Sequence, residues 1–66
     1  MSPASTHLLQ YFREEYQKTG KKTFSTQDIF DYLNDSKEYD KVIDELLRHK
    51  MIAKSTYVNC FDLLKP

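Results

Sequence analysis

Histidine and cysteine, the residues that most often serve as metal ligands, bases or nucleophiles, are scarce in this chain. His7 and His49 are the only histidines and Cys60 is the only cysteine, which is too few for a convincing zinc site. Cys60 stands beside Phe61 in a predicted strand with no histidine placed to activate it, so we interpret it as a small buried apolar residue. We therefore expect neither a bound metal nor a reactive thiol.

Carboxylates are plentiful, but their pattern does not indicate catalysis. They fall on the surfaces of predicted helices, where no apolar pocket would raise a pKa enough for acid–base work. Gly20 is the only glycine, so a glycine-rich loop that cradles phosphate groups is absent. We expect a protein that is not an enzyme, with no cofactor and no small-molecule substrate.

Positive and negative residues are equal in number in this chain. Ten Lys and Arg residues are matched by ten Asp and Glu residues, and the calculated isoelectric point is about 6.7. A strongly basic domain would have indicated nucleic-acid binding directly. Here the decisive question is whether the cations cluster on one face of the folded chain.

Length and composition predict one small soluble domain over residues 1–66. A chain of 66 residues has room for one modest core. We find neither the apolar run of a signal peptide nor a stretch of about 20 apolar residues that would span a membrane. With no disulfide possible within the chain, we expect a cytoplasmic protein, or a nuclear one in a eukaryote.

Three helices are predicted from the spacing of apolar residues and from capping signals. Leu8, Leu9, Phe12 and Tyr16 share one helical face, with Ser2-Pro3 or Ser5 as the start and Gly20 as the end. Ser25 and Asp28 form an imperfect capping box for the second helix, and Phe24 and Ile29 occupy the positions of a hydrophobic staple. Asn34-Asp35-Ser36 is a polar turn, with Asp35 or Ser36 as the cap of a third helix that runs to about Lys50.

Short strands are predicted around the second helix and at the end of the chain. Residues 22–24 can form a very short strand before the second helix. Residues 52–57 and 60–64 read as two strands joined at Val58-Asn59, because Thr56, Tyr57 and Phe61 are good strand formers and Asn59 tolerates a turn. The element order is thus α, β, α, α, β, β.

This order resembles the winged helix-turn-helix superfamily, a small α+β fold of three helices and a C-terminal β-hairpin. The similarity covers Leu8 to Leu64, and its centre is the stretch STQDIFDYLNDSKEYDKVIDELLRHKMIAKS. Such families end the third helix in a pattern like L-x-x-L-x-x-x-G-L-I, which this chain meets with Ile43, Leu46, Lys50, Met51 and Ile52. Lys50 replaces the usual glycine, although a side chain disfavours a left-handed turn. A plain three-helix bundle with a frayed C-terminal hairpin is the alternative.

The resemblance implies that the third helix reads the major groove of double-stranded DNA, with the early outward positions of that helix facing the bases. Lys37 and Lys41 stand one turn apart and could contact guanine edges or phosphates. Phosphate contacts are also predicted for Thr26 and Gln27, aided by free N–H groups at the start of the second helix. The full set of predicted DNA-binding residues is Lys21, Lys22, Thr26, Gln27, Ser36, Lys37, Asp40, Lys41 and Lys54.

Each of these assignments has a plainer alternative. Glu38, Asp40, Asp44 and Glu45 share the third helix and would repel phosphate, and Lys41–Glu45 and Asp44–Arg48 pairs would make it an ordinary solvated helix. Thr26 and Gln27 fit ordinary capping chemistry, and Lys21 and Lys22 fit the negative end of the first helix. The loop Val58-Asn59 carries no cation for the minor groove.

The sequence is therefore consistent with two functions. The first is a DNA-binding transcriptional regulator or accessory factor, which would act as a homodimer if it is sequence-specific. The second is a protein-interaction module of the same fold, which uses exposed tyrosines and the acidic part of the third helix. A continuous basic face containing Lys21, Lys22, Lys37 and Lys41 would favour DNA, and a face of mixed charge would favour protein.

Overall fold

Three helices and three short strands follow one another in the predicted order α, β, α, α, β, β. The structure is a computed structural model that describes residues 1–34 and 36–66. For residue 36 it describes the backbone but not the side chain. The elements are α1 (Pro3–Thr19), β1 (Thr23–Ser25), α2 (Thr26–Leu33), α3 (Ser36–Arg48), β2 (Ile52–Lys54) and β3 (Cys60–Leu63). This is a small α+β arrangement, and it is compatible with a winged-helix-like layout.

Helix α1 begins and ends where capping chemistry predicts. The Ser2 side chain accepts a hydrogen bond from the backbone N–H of Ser5, and Pro3 stands at the first helical position, which needs no N–H donor. At the other end Gly20 takes the left-handed conformation, with φ of 77°. Of the two predicted caps, Ser2 is therefore the one used, while Ser5 is fully buried one turn later.

Helix α2 is started by the predicted capping box. The Ser25 hydroxyl accepts from the Asp28 N–H at 3.1 Å, and the Asp28 carboxylate accepts from the Ser25 N–H at 3.3 Å. Phe24 and Ile29, predicted as the staple, are both fully buried in the core. An aspartate therefore completes this box in place of the usual Glu or Gln.

The turn between α2 and α3 is described only on its α2 side. Asn34 ends α2 in the left-handed conformation, with φ of 53°, and its N–H donates to the Phe30 carbonyl. The predicted cap of α3 at Asp35 or the Ser36 side chain lies outside the described residues. Helix α3 itself ends at Arg48, two residues earlier than predicted, because Lys50 already turns left-handed with φ of 58°.

The strands form one antiparallel sheet in the order β1-β3-β2, so the last strand lies in the middle. Phe24 of β1 pairs with Phe61 of β3, and Ile52 of β2 pairs with Leu63. The predicted second strand, residues 52–57, is wrong in length, because β2 ends at Lys54. Residues 55–59 form a loop instead, which we call the β2–β3 loop.

The core lies between the helices and one face of the sheet. Its central side chains come from all three helices and all three strands; they are Leu8, Leu9, Phe12, Phe24, Ile29, Val42, Ile43, Leu46, Ile52, Phe61 and Leu63. The rings of Phe12 and Phe24 stack at 4.3 Å between centroids. This packing fixes α3 relative to β2 and β3, the two strands that the β2–β3 loop joins.

A polar contact outside the core ties the start of α1 to α3. The Ser2 backbone N–H donates to Glu45 Oε1 at 2.7 Å. The pKa of Glu45 is lowered to about 2, mainly by a hydrogen bond from the Ser5 side chain and to a smaller degree by the one from the Ser2 N–H. Both bonds favour the charged carboxylate. This contact therefore favours the ionised form of Glu45.

Candidate functional site

The outward side of α3, the predicted recognition surface, carries charges of both signs. Its exposed charged residues are Lys37, Glu38, Asp40, Lys41, Asp44 and Arg48. Over its whole length the helix has three cations and four anions. The predicted Asp44–Arg48 pair is confirmed, with Arg48 Nε 3.0 Å from Asp44 Oδ2. The surface of α3 is thus of mixed charge rather than basic.

The cations that would have to form one basic face lie far apart. Lys41 lines a shallow cavity together with Ser2, so it lies beside the start of α1. Lys21 and Lys22 follow Gly20, beyond the other end of α1. A helix of 17 residues is about 25 Å long, close to the longest dimension of the molecule, 28 Å. Lys41 and the Lys21–Lys22 pair therefore lie at opposite ends of α1.

Lys21 and Lys22 already have partners within the chain. Lys21 Nζ lies 3.1 Å from Asp28 Oδ2 and 5.2 Å from the centre of the Phe24 ring. Lys22 Nζ lies 5.4 Å from the centre of the Tyr16 ring. The hydrogen bond from Lys21 lowers the pKa of Asp28. A phosphate would have to compete with these contacts.

The start of α2 is less available to an anion than the sequence predicted. The Thr26 N–H donates to the Asn59 carbonyl at 2.8 Å, and the Asp28 N–H donates to Ser25 Oγ. The side-chain amide of Gln27 donates to Asp31 Oδ1 at 2.9 Å. Two of the N–H groups expected to be free at the start of α2, those of Thr26 and Asp28, are therefore already bonded and brace the helix. That Thr26 and Gln27 contact a phosphate stays a prediction.

The remaining predicted contacts have different positions. Lys37 and Asp40 are exposed on the first turns of α3, and Lys54 is exposed at the end of β2. The Ser36 side chain lies outside the described residues. That these residues bind DNA stays a prediction.

An open groove lies between the β2–β3 loop, the start of α2 and α3, and we call it the loop groove. Its volume is about 420 Å³, and its lining residues are Thr26, Tyr39, Lys54, Ser55, Thr56, Tyr57, Val58, Asn59, Cys60 and Phe61. Of these described lining residues, Lys54 alone carries a charge. Cys60, predicted as buried, is half-buried and forms part of the wall.

The edge of the loop groove carries the most exposed large apolar side chains of the described chain. Tyr57 is 69% exposed and Val58 is 85% exposed. On the α3 side, Tyr39 stacks on the exposed Phe30 with 4.4 Å between ring centroids. The apolar surface thus continues from the loop across the groove to α2.

The loop groove was not predicted from the sequence. Thr56 and Tyr57 were expected in a strand, and Val58-Asn59 was interpreted only as a loop without cations. The available signal was that Tyr57-Val58-Asn59 combines two large apolar residues with a turn-forming residue. Elsewhere on the surface, at the edge of the core, the rings of Tyr11 and Tyr32 stack with 4.6 Å between centroids.

Comparisons with known proteins do not identify a family. No protein-family model, no curated protein and no solved structure matches this chain. Within residues 1–34 and 36–66, no helix is long and apolar enough to cross a membrane.

Proposed function

We propose that this chain is a winged helix-turn-helix domain that binds another protein, with the β2–β3 loop and the adjoining groove as its contact surface. The observation that carries the proposal is the distribution of charge. Cations on α3 alternate with carboxylates, whereas the loop at residues 55–59 is uncharged and presents Tyr57 and Val58 to solvent.

Electrostatics disfavours DNA as the principal partner. Affinity for a duplex comes largely from cations that neutralise phosphates, and each carboxylate on α3 opposes that gain. The separation of Lys41 from Lys21 and Lys22 along α1 removes the continuous basic face on which a duplex would lie. The net charge of the chain is zero, so no long-range attraction replaces it.

Protein binding fits the exposed side chains better. The centres of protein interfaces are depleted of charge and enriched in aromatic residues. Tyr57, Val58, Tyr39 and Phe30 supply such a surface on one side of the molecule. Apolar side chains exposed at this level on adjacent elements mark an interaction site more often than isolated exposed residues do.

DNA binding through α3 is the second candidate, and the observation in its favour is the exposure of Lys37 and Lys41. They stand four residues apart near the start of α3, which follows α2 in a helix–turn–helix order. That arrangement would present the leading turn of α3 to a major groove. A sequence-specific complex would then require a homodimer, because one such module contacts only about 600–1,000 Å².

Site-specific photo-crosslinking in the cells that make the protein separates the two candidates. The photoreactive residue p-benzoylphenylalanine replaces Tyr57 in one variant, Lys41 in a second and the exposed Lys18 of α1 in a control. We expect a covalent adduct from position 57 that is digested by protease and resists nuclease, with little from position 18. A nuclease-sensitive adduct from position 41, with none from position 57, would replace the proposal by the DNA candidate.

A duplex titration provides the independent check. DNA binding predicts affinity that falls steeply between low and moderate salt and that is abolished by Lys37→Glu with Lys41→Glu. We expect instead that α3 amide resonances of labelled protein respond weakly to a duplex, with little difference between the double variant and the unchanged chain.

A further inference from the structure

The loop groove has a chemical character that narrows what it can bind. Tyr39, Phe61, Tyr57 and Val58 supply apolar surface, and the hydroxyl-bearing residues Thr26, Ser55 and Thr56 also line the groove. Such a mixture of apolar walls and a few polar groups is typical of sites that hold a side chain and fix its orientation.

Among the lining residues that the structure describes, Lys54 is the charged one, and it is exposed at the end of β2. None of these described lining residues is a carboxylate, so a negatively charged group that enters this part of the groove meets a cation and hydroxyl-bearing residues. The complementary ligand is therefore apolar with a carboxylate beside it.

The size of the groove argues against a globular partner or a second copy at this place. Ten residues line it, whereas an interface of standard size uses about 20–30 residues on each side. A second copy docked through the groove alone would bury too little surface for a stable dimer. A short extended segment, which needs only a few side-chain contacts, matches the groove.

We propose that the loop groove binds a short extended peptide segment of a partner protein, in which a large apolar side chain is followed or preceded by an acidic residue. The apolar side chain lies between Tyr39, Phe61 and the β2–β3 loop, and the carboxylate pairs with Lys54 Nζ. This inference rests on the proposed function and adds to it the place of contact and the chemistry of the partner.

Peptides of defined composition test the proposal on the labelled full chain. The probe is N-acetylated, C-amidated Gly-Ser-Asp-Phe-Leu-Ser-Gly, compared with one peptide in which Lys replaces Asp and one in which Ser replaces Phe and Leu. We expect the probe to shift amide resonances of residues 26, 39 and 54–61. The Lys peptide should bind about two- to fivefold more weakly, as a solvent-exposed ion pair implies, and the Ser peptide should not bind.

Exposed substitutions make the test specific to the groove. Lys54→Glu should reverse the preference, so that the Lys peptide binds more tightly than the Asp peptide. Tyr57→Ser with Val58→Ser should weaken binding of the probe by about tenfold, as loss of anchor contacts implies. Lys18→Glu makes the same charge change on α1 and should leave the preference as it was. All four side chains are exposed, so the fold is preserved.

Three results would overturn the proposal. The first is that the probe peptide shifts no amide resonance at about millimolar concentration, and the second is that Lys54→Glu still prefers the Asp peptide. The third is that 3-phenylpropionate binds as tightly as the probe, which would indicate a small-molecule site. Any of these together with a protein adduct at position 57 leaves the proposed function standing. A nucleic-acid adduct at position 41 removes the proposed function whatever the peptides do.

Discussion

Lys50 holds a left-handed backbone, with φ of 58°, at the position where the winged helix pattern has glycine. A side chain in this conformation costs about 1–2 kcal/mol compared with glycine. We predict that Lys50→Gly raises the free energy of unfolding by about 0.5–1 kcal/mol, after allowance for the greater freedom of glycine in the unfolded chain. Urea denaturation measures this change.

Lys50→Ala is the matched control for that substitution. Alanine removes the same charge and the same long side chain, but it keeps the Cβ atom that opposes the left-handed turn. We expect no gain in stability from it. A gain equal to that of the glycine variant would mean that the lysine charge, rather than the backbone, is responsible.

Glu45 makes stability depend on pH in a defined window. The pKa of Glu45 is about 2 in the folded chain, whereas an unperturbed glutamate has a pKa of 4.5. Between these two values the unfolded chain binds a proton at this residue and the folded chain does not. The stabilisation is complete above pH 4.5 and is lost as the pH falls to about 2. We predict that Glu45→Gln flattens the decline of the urea midpoint between pH 5 and pH 2.

Glu14→Gln serves as the control for the pH experiment. Its carboxylate accepts from Gln10 in the same helix, so its loss leaves the link between α1 and α3 in place. We expect the pH profile of this variant to follow that of the unchanged chain. If both variants flattened the profile equally, the Ser2–Glu45 contact would not be its cause.

The capping box of α2 links three elements. Ser25 is both the last residue of β1 and the N-cap of α2, and the neighbouring Thr26 N–H bonds to the loop at Asn59. We predict that Ser25→Ala lowers the free energy of unfolding by about 1 kcal/mol, as loss of an N-cap usually does. Thr6→Ala, at an exposed position inside α1, should cause no loss when measured in the same way.

Local signals were enough to predict the helices but not the sheet. The capping residues form hydrogen bonds with residues only a few positions away; they are Ser2, Gly20, Ser25 and Asp28. The helix ends can therefore be predicted from the neighbouring sequence. The end of β2 depends on where β3 stops pairing with it, and Thr56 and Tyr57 are strand formers without a partner there. Intrinsic strand preference therefore gave way to tertiary context.

The candidate site was predictable only in part for the same reason. The exposed positions of α3 follow from helical periodicity, and Lys37, Asp40 and Lys41 are exposed as expected. The loop groove joins Tyr39 of α3 to Phe61 of β3, which are 22 positions apart in the chain. Only the packing of the core brings them together, so the local sequence could indicate the exposed apolar residues of the loop but not the groove beside them.

At the scale of the whole molecule, the small core leaves little reserve of stability. A chain of 66 residues has a free energy of unfolding of about 3–10 kcal/mol at the usual value per residue. Leu46 is fully buried, and truncation of such a leucine costs about 2–5 kcal/mol. We predict that Leu46→Ala leaves a large fraction of the chain unfolded at 37 °C by circular dichroism.

Leu64→Ala removes the same atoms from a side chain that is half exposed. It should change the free energy of unfolding by less than about 1 kcal/mol, because little apolar surface is lost from the core. Equal effects of the two substitutions would contradict the position of the core given above.

The place of β3 between β1 and β2 has a consequence for how the protein is made. A ribosome releases β1 and β2 first, and neither has a neighbour in the sheet until β3 has emerged. The sheet that braces α3 therefore closes only when β3 joins it. A chain truncated before residue 60 would leave Phe24 and Ile52 without their partners in β3, and it would be the form that chaperones and proteases recognise.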